Sequence, residues 1–141
     1  MSKKELVWAM ASAGVIWLIG VSAFVLSYTV QIMENPDHQA NWVLSLTLIP
    51  AIAFGTNFFY GKRFKTNGWI LGALMFGLTF LLDAMITVPV FIIPAGGNHF
   101  DFFSSPIFWL IALEYITLSA LFSRIWKNKN RFKEGSIVNQ L

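Results

Sequence analysis

Four apolar runs, each about the length needed to cross a bilayer, constrain this chain more than any other feature. The hydrocarbon core takes about 20 helical residues to span, and the runs cover Leu6–Val30, Trp42–Tyr60, Gly68–Ile93 and Pro106–Trp126. The second is the shortest. A soluble domain carries roughly 25% charged residues; this chain carries 12%, with 56% hydrophobic residues. Lys3 and Lys4 precede the first run as they would in a signal peptide, but the run is too long for an h-region and three more spans follow. The expected fold is therefore all-α: a polytopic, antiparallel bundle of four transmembrane helices in a single membrane domain, with residues 127–141 as a basic tail.

Charge sets the expected orientation. The ten Lys and Arg residues fall in three places: Lys3 and Lys4; Lys62, Arg63 and Lys65; and the segment from Arg124 to Lys133. With four spans, those places lie on one side. The other two connections, "QIMENPDHQAN" and "PAGGNHFDFFSSP", hold Glu34, Asp37 and Asp101 but no Lys or Arg. The positive-inside rule puts both termini in the cytoplasm. The formal charge of +3 thus belongs to membrane orientation, and no nucleic-acid partner is expected. Trp8, Tyr60, Trp69 and Trp126 fall near the inner boundary, and Tyr28, Trp42 and Trp109 near the outer one, as amphipathic rings prefer. Trp17 lies mid-span, where it is expected to face lipid or fill space.

Helix association in lipid depends on close packing and interhelical hydrogen bonds. Ala13, Gly20 and Ser27 in the first span, Thr47, Ala51 and Gly55 in the second, and the pairs Gly68/Gly72 and Ala73/Gly77 in the third supply small residues at helical spacing. Pro50 and Pro89 each remove a donor and crowd the carbonyl four residues back. Kinks or locally opened backbone are expected at both.

Two acids lie inside the spans. Asp83 falls about ten residues from the outer end of the third, roughly 15 Å deep, and Glu114 about eight residues from that of the fourth, roughly 12 Å deep. A mid-span acid costs about 2.5–3.5 kcal/mol on insertion-derived scales, and no Lys or Arg lies within a span to neutralise either. A meeting between them is expected, with at least one neutral and donating a hydrogen bond. Thr79 and Thr87 flank Asp83 at four-residue intervals, and Thr117 stands near Glu114. Asn57, beside Thr56, completes an expected polar track from the outer loops toward the inner end of the second span. Ionisable residues within a membrane are functional candidates by default. The competing reading is that these groups merely cross-link helices.

Other chemistry is sparse. Cysteine is absent, which excludes disulfides, thiolate metal sites and cysteine nucleophiles. His38 and His99, each near an Asp, are candidate metal ligands, but neither shows a ligand spacing. No HExxH motif is present, nor the acid motifs of a lipoprotein signal peptidase, so no enzyme activity and no cofactor are expected. The tail "SRIWKNKNRFKEG" orients the last span and is suited to anionic lipid at the inner surface.

The segments "LGALMFGLTFLLDAMITVPVFIIP" and "FFSSPIFWLIALEYITL", about half the chain, resemble small bacterial four-helix membrane proteins of an uncharacterised family. In those, a Leu-Leu-Asp run in the third helix precedes an aromatic outer loop and a Trp-bearing fourth helix. The resemblance implies a bacterial inner-membrane location and weight on the "LLD" segment. It implies no activity. Two functions follow as expectations. One is binding or movement of a small solute or protons at a buried acidic site, in a chain short enough to need a homodimer. The other is a non-catalytic accessory or regulatory role beside a membrane partner subunit.

Overall fold

In the computed structural model, which describes residues 1–140, every regular element is helical. The helices are α1 (Lys3–Ser27), α2 (Pro36–Tyr60), α3 (Gly68–Leu82), a short α4 (His99–Ser104) and α5 (Pro106–Gln140). α3 continues without a break into ten residues of π-helix, Asp83–Ile92. Four helical segments are long and apolar enough to cross a membrane: α1, α2, α3 with its π extension, and α5.

Local chemistry explains the boundaries. Ser2 and Glu5 cap each other's turn at the start of α1. Asn35 caps α2, and Pro36 takes the first position, where a missing N–H costs nothing. That cap moves the start of α2 six residues ahead of the expected Trp42. α5 also outruns expectation: it stays helical through the basic tail as far as Gln140. The "AGG" turn after Ile93 is a Schellman closure. Gly97 N–H donates to Ile92 O at 2.9 Å, Gly96 N–H to Ile93 O at 3.0 Å, and Gly96 takes φ +95°.

The two prolines behave differently. α2 passes through Pro50 without leaving the α-helical pattern, so the backbone does not open into another winding there. At Pro89 the backbone does open, into π winding. In that winding each N–H reaches the carbonyl five residues back, so the acceptor that Pro89 leaves unpaired is Ala84 O. The His99 Nε2 lies 2.9 Å from that same oxygen. The π segment therefore moves the orphaned carbonyl to a place where a side-chain donor reaches it.

α1 packs on α2 and α3, and α5 on the same two, so the four long helices form a ring with α1 opposite α5. Close approach follows the small residues. A Cβ on Gly55 would lie 2.5 Å from Ile16, one on Gly68 2.6 Å from Ser123, and one on Gly72 2.9 Å from Ser119. Gly20, Ala13 and Ser27 are buried as expected. Ala73 and Gly77 are not a packing pair: both are exposed, and a Cβ on Gly77 meets nothing within 4 Å.

Each end of the ring is tied. At one end, Tyr60 donates to Thr66 O at 2.6 Å and accepts from Ser123 at 2.9 Å. Lys127 Nζ also reaches Thr66 O, while Thr66 Oγ1 donates to Glu5. At the other end, buried Gln39 binds four backbone groups of the α1–α2 connection: Nε2 donates to Ser27 O and Val30 O, and Oε1 accepts from Ile32 and Met33 N–H.

Candidate functional site

The ring of helices leaves a cavity of about 360 Å³ between α1, α2, the α3–π segment and α5. Tyr28, Asp37, Asn98 and Asp101 line it at the end where the α1–α2 and α3–α4 connections lie. Thr79, Asp83, Tyr115 and Ile16 line it deeper in the bundle. A carboxylate far inside a span is thus continuous with the loop end of the molecule.

Asp83 is the first residue of the π segment. Its Oδ1 accepts from Thr87 Oγ1 at 2.7 Å and from Trp17 Nε1 at 3.0 Å; the same indole N–H lies 3.2 Å from Thr87 Oγ1. An indole N–H can only donate, so Asp83 Oδ1 is an acceptor. Among the described residues, Oδ2 takes no hydrogen bond. It is also not sealed off, because among the described residues the buried side-chain N and O atoms without partners are Ser12 Oγ and Thr56 Oγ1. One carboxylate oxygen is fixed by neutral donors and the other has no partner among the described residues, and Asp83 lines the cavity.

The deep wall is a second hydrogen-bonded pair. Tyr115, buried on α5, lies with its hydroxyl 3.3 Å from Thr79 Oγ1 of α3. Above it, aromatic packing closes the α3, α4 and α5 side: Phe80 stacks on Phe103 at 4.4 Å between ring centroids, and Phe108 packs edge-on to Phe103 at 5.2 Å. The "FDFF" segment therefore inserts partly into the bundle, leaving Phe100 78% exposed. At the mouth, Tyr28 donates to Asp37 at 2.8 Å and Asn98 to Asp101 at 2.7 Å.

Of the residues singled out in the sequence, Asp83, Thr79 and Thr87 line this cavity together. Glu114 does not join them. It accepts from Ser45 of α2 at 2.8 Å, because α5 is flanked by α3 and α2, and Glu114 is bonded on the α2 side. The two acids do not hydrogen-bond to each other. Thr117 and Asn57 are exposed on the outside of their helices, so the expected polar track toward Asn57 does not form. His38 is exposed in the first turn of α2, His99 is committed to Ala84 O, and no group of three or more His, Cys, Asp or Glu is placed to hold a metal among the described residues.

Sequence reading missed three residues. Trp17 is a donor to the acid instead of lipid-facing bulk. Tyr115 is the floor of the cavity. Gln39 organises its rim. For Trp17 a signal existed: a lone indole mid-span needs an acceptor when it turns inward, and the acids were the acceptors available. No protein-family model, curated protein or solved structure matches this chain.

Proposed function

We propose that this is a multi-pass protein of the bacterial inner membrane, an antiparallel four-helix bundle with both termini in the cytoplasm, that binds or moves a small solute or protons through Asp83. The observation that carries this reading is that Asp83, with only one of its two carboxylate oxygens hydrogen-bonded, lines a cavity that reaches the loop residues Asp37 and Asp101. A carboxylate that served packing alone would be expected at a dry contact with both oxygens paired. Orientation rests on the Lys and Arg bias, which makes the cavity mouth the outer face. The proposed role is non-catalytic, in keeping with a sequence that carries no HExxH motif.

The test is proton and solute flux in proteoliposomes reconstituted with the purified chain. D83N is expected to abolish flux while leaving the thermal unfolding midpoint near that of the unmodified protein, because an amide oxygen still accepts from Trp17 and Thr87. Unmodified protein that supports no flux, and that co-purifies in fixed ratio with another membrane protein, would instead establish the accessory-subunit role.

A further inference from the structure

We propose that the cavity is a receptor site for a small organic monocation, a substituted ammonium with an apolar body, held between the Asp83 carboxylate and aromatic walls. The inference deepens the functional reading above and rests on it.

Charge is the first argument. Three of the chain's seven acidic residues, Asp37, Asp83 and Asp101, line the cavity, and no Lys, Arg or His does. The chain as a whole carries more basic than acidic residues, so the cavity runs against the sign of the molecule. The partners of its carboxylates are neutral: Tyr28 for Asp37, Asn98 for Asp101, and Trp17 with Thr87 for Asp83. The negative field is directed at whatever enters. A solute anion is repelled at the mouth by Asp37 and Asp101 and again, deeper, by Asp83.

The walls narrow the class. Trp17, Phe24, Tyr28, Phe76, Phe102 and Tyr115 line the same space, and aromatic rings attract cations through their quadrupoles, quaternary ammonium groups above all. A hard metal ion asks for about six to eight oxygen ligands. The deep part of the cavity offers one carboxylate with a single partnerless oxygen and three hydroxyls, those of Thr79 and Tyr115 engaged with each other and that of Thr87 with Asp83. A volume of about 360 Å³ lies in the range of small-molecule sites and far exceeds what a proton needs. A single charge on an apolar body matches one buried carboxylate inside an aromatic enclosure.

Such an ammonium is either a free solute or a lipid headgroup, since the cavity opens at the level where headgroups lie. The experiment uses the full chain in phosphatidylglycerol nanodiscs, with empty nanodiscs subtracted. Phenyltrimethylammonium, its neutral isostere tert-butylbenzene, and benzenesulfonate are titrated by calorimetry. Phenyltrimethylammonium is expected to bind saturably, the neutral isostere about tenfold more weakly or worse, and benzenesulfonate not at all. D83N is expected to weaken the cation by about thirtyfold, and the mouth variant D101N by about threefold because solvent screens it. E114Q, on the α2 side of α5, is expected to leave binding unchanged.

If D83N does not fold, the isostere comparison on the unmodified chain and the D101N titration still decide. Equal affinity for cation and isostere, no saturable cation binding, or cation binding indifferent to D83N overturns the proposal. Competition when phosphatidylethanolamine is added assigns the natural occupant to a headgroup; unchanged affinity assigns it to a free solute. Proton flux abolished by D83N without cation binding would leave the functional reading standing and remove the cation.

Discussion

Gln39 shows how one side chain can hold the geometry of a site it does not line. It is 5% exposed and satisfies two carbonyls and two N–H groups of the connection that carries Tyr28 to the cavity mouth. Buried backbone groups left unpaired cost about 1–3 kcal/mol each. Gln39→Leu keeps the bulk and removes all four bonds. It is expected to destabilise the protein by roughly 2–4 kcal/mol after partial rescue by water, read as a lower unfolding midpoint in detergent, with faster amide exchange confined to residues 28–35. At the same scale, His99 supplies the donor that Pro89 lacks. His99→Ala should cost about 1 kcal/mol and speed exchange in the π segment, whereas His99→Gln, which retains a donor, should recover most of the loss. Equal exchange in both variants would show that Ala84 O has another partner.

Helix packing turns on which small residues face a neighbour. Gly68 and Gly72 face α5, where an added Cβ meets Ser123, Ser119 and the backbone of Ile116 at 2.6 to 3.1 Å. Gly77, five residues further along α3, faces open space. Gly72→Ala is expected to destabilise the bundle by about 1–3 kcal/mol through overpacking. Gly77→Ala should be neutral or stabilise by up to about 1 kcal/mol through helix propensity. Thermal unfolding of the two variants side by side checks this, and equal losses would contradict the packing. The spacing of the small residues was legible in the sequence. Which of them touch anything was not, because a four-residue interval repeats on every face of a helix. The π winding after Leu82 was half legible. Pro89 announced a disturbed backbone, but Pro50 announced the same and α2 keeps its α-helical pattern there. For Pro89 a distant donor, His99, was at hand.

For the whole molecule, absence of cysteine makes the proposed topology directly testable. Single cysteines at Glu34 and Gly96 should react with impermeant maleimide from outside intact cells. Cysteines at Lys65 and Gly135 should react only after permeabilisation. The reverse pattern would invert the bundle and place the cavity mouth in the cytoplasm. Length, apolar content and the grouping of Lys and Arg were sufficient for the helical class, the four long segments and an orientation to test, since they depend on hydrophobic transfer and net charge along one dimension. Candidate site residues needed the third dimension. Counting residues puts Asp83 and Glu114 at nearly equal depth, and depth is all that a rise per residue can provide. The ring order of the helices points Asp83 at Trp17 of α1 and Glu114 at Ser45 of α2. Sequence alone determined that two carboxylates lie inside the spans. Tertiary structure decided that one of them lines an aromatic cavity, because the azimuth of each side chain is set by which helices pack against which.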